Sequence, residues 1–238
     1  MHPAIAELPS AAGTFGLHID HDRLPLFDRY LRAILAWQGR INLLGTRDPT
    51  QIVVLHFVDS LAALAVCDFP VGSALVDVGS GAGLPGIPLK IIRPDLKVTL
   101  VESSRRRAGF LEHLRSVLGL MDVDVLWARA EELAASPKRR ETFDRSVERA
   151  AARFTPAAEM CLPLIKVGGA SVFLKGPGVE EELVRAGDLI AALGGRIVRS
   201  EVRSLPLMGR RRAAIVIQKV RSTPAKFPRR PPNIGTKP

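Results

Sequence analysis

Cysteine is scarce in this 238-residue chain: only Cys67 and Cys161 occur, far apart and outside any Cys-x-x-Cys or Cys/His cluster. That spacing argues against a disulfide framework and a structural zinc site, so no metal is expected. Residues 1–20 lack a basic start followed by an apolar stretch, which argues against a secretory leader. No apolar run, Leu61–Cys67 included, approaches the roughly 20 residues that span a bilayer. Internal repeats are absent too. A cytoplasmic protein with no membrane partner is expected.

Acids are also missing from one place. Arg199–Pro238 holds eleven Lys/Arg and a single acid, Glu201, whereas the remaining residues hold 23 charges of each sign. The whole net charge of +10 therefore lies in this last stretch. A basic segment on a neutral body suits a polyanion, because neutralising phosphates releases condensed counterions. The bland alternative is a solvated, solubilising tail. Arg210, Arg211, Arg212, Lys226, Arg229 and Arg230 are the candidate RNA contacts if the polyanion is RNA.

The apolar share is 47% and the charged share 24%, which suits one packed α/β domain with an appendage. Residues 1–21 read as irregular. Leu24, Phe27, Leu31, Ile34 and Leu35 share one helical face, and Thr50 caps a second helix striped by Val53, Phe57, Leu61 and Leu64. Residues 22–70 thus read as a helical cap. Units of strand and helix then alternate over 71–222. Strands are expected at Ala74–Val78, Val98–Val101, Val123–Trp127, Phe143–Val147, Ala170–Leu174, Arg196–Val202 and Ala213–Val220. The intervening helices include one from Ser103 or Ser104 to Gly119 and one from Thr155-Pro156 to Gly168-Gly169. Crossover connections of this kind demand a mostly parallel sheet covered on both faces. Residues 223–238, rich in Pro, Lys and Arg, read as an unpacked basic tail.

The sharpest local feature is Asp77-Val78-Gly79-Ser80-Gly81-Ala82-Gly83-Leu84-Pro85-Gly86-Ile87-Pro88. A strand ends, glycines turn the chain without Cβ collisions, and a helix opens at prolines whose missing N–H groups cost nothing there. Gly81, Gly83 and Gly86 satisfy the spacing of dinucleotide enzymes, with Glu102 as a ribose ligand at the end of the next strand. Asp77 at the strand tip instead favours S-adenosylmethionine (SAM), which carries an ammonium and a sulfonium and no pyrophosphate. An antiparallel hairpin ending the sheet favours SAM as well. A purely structural glycine turn is the remaining alternative.

Further blocks match in order: Trp37-Gln38-Gly39-Arg40-Ile41-Asn42-Leu43, Arg47-Asp48-Pro49, His56-Phe57-Val58-Asp59-Ser60, Ile92-Arg93-Pro94, Glu102-Ser103, Arg129-Ala130-Glu131-Glu132, Glu148-Arg149-Ala150, Leu174-Lys175-Gly176 and Lys226-Phe227-Pro228-Arg229-Arg230-Pro231. With these and the Asp77–Leu89 turn, residues 24–238 resemble the bacterial small-subunit ribosomal RNA methyltransferase G family, also called glucose-inhibited division protein B. The resemblance implies a Rossmann-like α/β fold: a mostly parallel seven-stranded sheet with an antiparallel last strand and an N-terminal helical cap. It implies SAM as donor, N7 of a guanine as acceptor, and small-subunit rRNA or a pre-30S/30S particle as partner. It also implies that Asp77, Gly79, Gly81, Gly83, Leu84 and Glu102 hold the cofactor, with Gly79 and Leu84 at its methionine end. Ala130 and Glu131 would meet the adenine, Arg149 the methionine carboxylate or the substrate, and His56 with Asp59 would lie near the cleft. This chain departs from the family in having Glu148 where Ser is usual, in the run Arg105-Arg106-Arg107, and in the tail Pro232-Asn233-Ile234-Gly235.

Guanine N7 has a free lone pair, so its methylation needs alignment and no proton removal. In keeping with that chemistry no catalytic acid or base is assigned, and neither an Asn/Asp-Pro-Pro-Tyr/Phe motif nor a Pro-Cys nucleophile occurs. Lys175, after the fifth strand, could reach an RNA phosphate at the carboxyl edge of the sheet. Trp37 and Phe227 could stack on bases, although core packing is the commoner fate of a lone aromatic. Two other functions stay open: methylation of another RNA base or a small molecule, and non-catalytic RNA binding in assembly.

Overall fold

The protein is described from a computed structural model, which covers residues 1–149, 152–206, 208–229 and 234. Short helices α1 (Pro3–Ala6) and α2 (Leu8–Gly13) precede α3 (Leu24–Trp37). The segment expected to be irregular is thus helical. Its helices carry too few residues to announce a period, and they form because Ile5, Leu8, Ala11 and Ala12 bury against the rest of the fold.

After α3 come α4 (Pro49–Ile52), a wider π-helical stretch Val53–Val58, and α5 (Asp59–Val66). Asp48, not Thr50, caps this run: its carboxylate accepts from the Gln51 N–H at 2.8 Å, with Pro49 in the first turn. Pro49–Val66 is long and apolar enough to cross a bilayer by length and composition, against the expectation drawn from uninterrupted apolar runs. In the fold 67% of that window is buried as core.

The alternating units follow as β1 (Ala74–Val78), α6 (Gly86–Ile92), β2 (Lys97–Glu102), α7 (Arg105–Leu118), β3 (Val123–Trp127) and α8 (Ala130–Ala135). Then come β4 (Phe143–Arg149), α9 (Phe154–Cys161), β5 (Ile165–Lys175), α10 (Val179–Ala192), β6 (Gly195–Ser204) and β7 (Arg211–Lys219). Ser104 caps α7 and left-handed Gly119 ends it, as the sequence suggests. One boundary differs. The helix expected to run to Gly168-Gly169 stops at Cys161, a 3-10 turn through Pro163 follows, and β5 starts at Ile165. Gly169 lies inside the strand, where a Cβ would come within 2.6 Å of the Asp144 carbonyl.

The strands form one seven-stranded sheet in the order β3-β2-β1-β4-β5-β7-β6. All pairs are parallel up to β5, and β7 runs antiparallel between β5 and β6. Alternation along β1 sends Leu75 to a core shared with α1–α7, and Val76 and Val78 to a second core under α8–α10. The order reverses between β1 and β4, so a crevice opens at their carboxyl ends, where such sheets take ligands.

Candidate active site

Asp77 is carried on β1 to this crevice, and its side chain is fully buried. Its Oδ2 accepts the Gly86 N–H at 2.9 Å, one of the donors that the first turn of α6 cannot satisfy itself. Oδ1 has no hydrogen-bond partner. Burial pushes the carboxyl up to about 7, against the lowering pull of the Gly86 and Ser80 donors and of Arg149. A buried carboxylate oxygen without a donor is a costly feature, and a cationic or hydrogen-bonding ligand offsets it.

Between Asp77 and α6 the chain turns through left-handed Gly79, Gly81 and Gly83, with φ of 75°, 58° and 91°. Two of these glycines have different duties. A Cβ on Gly83 would sit 2.8 Å from Ile87 Cγ1 and 3.0 Å from the Tyr30 hydroxyl, so this position is closed by packing. A Cβ on Gly81 would meet only the Gly79 carbonyl, at 3.9 Å, so this position opens outward. Tyr30, fully buried on α3, donates to the Ala82 carbonyl at 2.7 Å and ties the helical cap to the turn. Leu84 packs its side chain into the core, and its N–H donates to the Ser80 carbonyl at 2.9 Å within the turn.

Glu102, at the tip of β2, closes the other side. One carboxylate oxygen accepts the Gly81 N–H at 2.9 Å and the other the Ser104 N–H at 2.8 Å. Those bonds aim the carboxylate along the turn and leave lone pairs for a vicinal diol. Ala130 and Glu131 open α8 just past β3, Ala130 buried and Glu131 half-buried. The set fits a nucleoside bearing an amino acid: an open glycine, a carboxylate for the hydroxyls and a buried acceptor lacking a donor.

Arg149 ends β4 with its guanidinium locked onto the helical cap. Nη1 lies 3.3 Å from Asp59 Oδ2 and donates to the Leu55 carbonyl at 3.1 Å, and Nη2 meets His56 Nδ1 at 3.0 Å. Arg212 reaches the same Asp59 oxygen at 3.0 Å. Asp59, 1% exposed, thus holds two arginines from two strands. Burial first, then the charges of Arg149, Arg212 and Arg210, lower the His56 imidazole to about 3. It is neutral at physiological pH and a feeble base.

The candidate RNA contacts divide by where the sheet carries them. Because β7 runs antiparallel, pairing Ala213 with Lys175, Arg210, Arg211 and Arg212 arrive at the crevice edge. Arg210 and Arg211 are exposed there, without an ion pair among the described residues. Lys175 is different: buried, with its ammonium on Glu148 and on the Ala152 carbonyl at 2.8 Å, it has no free charge for a phosphate. A charge that looks available in sequence is spent on buried Glu148.

The tail corrects a larger expectation. Residues 223–229 pack against the opposite edge, where β4 and β5 begin. Phe227 is 1% exposed within the core under α8–α10. Arg140 donates to the Phe227 carbonyl at 2.8 Å and the Thr223 carbonyl at 2.7 Å. Arg229 pairs with buried Glu159 at 2.7 Å through both its main-chain N–H and Nη2. Phe227 is therefore not a stacking surface, and Arg229 is occupied. Lys226 lies over the Phe227 ring at 5.2 Å, far from the crevice. Arg230, like Ala150, lies outside the described residues. Trp37, half-buried, packs edge-on to Phe110 at 5.6 Å.

The family described as rRNA small subunit methyltransferase G matches residues 23–205. The chain belongs to this family. Among its curated members, the ribosomal RNA small subunit methyltransferase G of Roseiflexus castenholzii is 44% identical over 224 residues, covering 94% of each chain. The protein of the same name from Halalkalibacterium halodurans is 42% identical over 216 residues, covering 91% of each. A solved structure of a predicted O-methyltransferase from Agrobacterium tumefaciens shares the fold, with TM-score 0.55 at 17% identity over 69% of this chain and 83% of that one. Sequence reading of this family member missed three features of the site: the Asp59 hub, the Tyr30 clamp and an exposed Trp127. The first two depend on partners far along the chain. The third had a signal, an aromatic at the carboxyl end of a strand beside a basic run.

Proposed function

We propose that this chain transfers a methyl group from SAM to N7 of a guanine in 16S ribosomal RNA. The observation that carries the reading is the crevice between Asp77, Gly81 and Glu102, in a chain of this family. Residues 71–222 form the transfer domain, 22–70 its cap, and the work is cytoplasmic, on small-subunit rRNA either naked or in a pre-30S/30S particle. Bound in the crevice, SAM would supply a methyl group on a sulfonium, and N7 accepts it without losing a proton. The protein's task is therefore to orient and to exclude water. Glu102 would hold the hydroxyls, the open Gly81 turn would let the ligand lie against the main chain, and buried Asp77, with one oxygen lacking a donor, would favour a positive amino group. Arg149 and Arg212, fixed by Asp59, set the far wall of the crevice. Neutral His56 removes no proton, consistent with a reaction that needs no general base.

The test is direct: 7-methylguanosine in small-subunit rRNA, measured with and without this gene product. Its presence only with the protein supports the reading. An unchanged 7-methylguanosine content, with a different base modified, moves the activity to another RNA position.

A further inference from the structure

We propose that the exposed indole of Trp127 is a stacking platform for an unpaired RNA base at the rim of the crevice; this rests on RNA being the substrate. Trp127 is the last residue of β3, an edge strand, and lies in register with Glu102. It is 61% exposed, although a ring of that size normally gains by burial. Its orientation is nevertheless held. Nε1 donates to the Ser103 carbonyl at 3.0 Å, and the Arg105 guanidinium lies 5.5 Å from the ring centroid. A ring already fixed loses little freedom when a second ring lies on it, so stacking is favoured over a swinging side chain.

Charge decides the occupant. Arg105 lies over the ring, Arg106 follows it on α7 and Arg129 stands two residues past Trp127; all three are exposed, and no ion pair ties them to an acid among the described residues. Glu131 and Glu132 follow on α8 without engaging them. The adenosine of SAM carries no phosphate and gains nothing from three guanidinium groups. A ribonucleotide strand carries one phosphate per base and gains from each. An aromatic on a cationic rim is the arrangement that takes single-stranded nucleic acid, base on ring and backbone on arginine. The Arg105-Arg106-Arg107 run thereby has a use: Arg105 backs the ring, Arg106 faces solvent, and Arg107 donates to the Asn42 carbonyl of the cap at 3.3 Å.

Trp37→Phe leaves Trp127 as the sole tryptophan, so emission reports on the platform itself. This protein is titrated with a short unstructured oligoribonucleotide, with inorganic polyphosphate and with SAM. RNA is expected to quench the emission, whereas polyphosphate binds without quenching and SAM leaves it unchanged. Trp127→Ala should weaken RNA binding about tenfold, and Trp127→Phe should retain most of the affinity. SAM affinity should stay the same in both. Quenching by SAM alone, or equal RNA affinity in Trp127→Ala and wild type, overturns the platform while leaving methylation of small-subunit RNA intact. A wild-type protein that neither binds RNA nor methylates it removes the underlying reading as well.

Discussion

Phe227→Ala should destabilise the protein strongly and leave its cofactor site untouched. The ring is 1% exposed and belongs to the core under α8–α10, so truncation loses both its burial and the packing around it. Buried Phe→Ala changes cost about 3–5 kcal/mol where the site collapses poorly. Arg140 and the Arg229–Glu159 pair hold the backbone on either side, which hinders collapse. For a chain of this size each kcal/mol moves Tm by roughly 2–4 °C, so a fall of about 6–20 °C is expected. Urea unfolding should show the same loss as a shift in midpoint at constant slope. SAM affinity, titrated well below the new Tm, should match wild type, because the lesion lies at the opposite edge of the sheet from Gly81. The salt dependence of RNA binding should also persist, since Arg210 and Arg211 stay in place. A solubilising tail would behave otherwise. Stability unchanged within about 0.5 kcal/mol would refute the packed strap, as that is the usual effect of a surface substitution.

The remaining predictions concern the crevice. Gly81→Val should abolish SAM binding by calorimetric titration, with the protein still folded though less stable because valine is strained at φ 58°, whereas Gly83→Ala should lower Tm because its methyl meets Ile87 and Tyr30; equal SAM affinity in folded Gly81→Val counts against the site. Asp77→Asn should leave the ligand-free protein at least as stable near pH 8, because it removes a charge whose carboxyl burial lifts to about 7, and should weaken SAM binding at least about tenfold. Large destabilisation with full SAM affinity would contradict that account. With SAM saturating at every pH, so that Asp77 titration does not limit cofactor binding, the single-turnover rate should be flat from about pH 6 to 8, since N7 loses no proton. His56, held near 3 against an ordinary 6.5, binds fewer protons folded than unfolded in that interval, so its contribution to stability is present above about 6.5 and fades as pH falls toward 3. A rate rising through pH 6.5 and lost in His56→Ala would reinstate a general base.

Local rules made much of this protein legible from its residues. Strand and helix alternation, the Ser104 cap, the Gly119 terminator and the glycine turn all depend on neighbours a few positions away, and the structure has them where the pattern places them. The balance of charge also located a basic segment. Its use was decided elsewhere. Arg149 and Asp59 are 90 positions apart and Arg229 and Glu159 are 70 apart, and no periodicity links such pairs. Only the sheet order and the antiparallel turn of β7 carry Arg210 to the crevice while leaving Arg229 at the far edge. The same distance rule explains the short N-terminal helices, which exist because a distant core receives Ile5 and Leu8. A cation is free to meet RNA or is bound to a buried acid according to what folding sets beside it, because desolvated charges must pair and solvated ones need not.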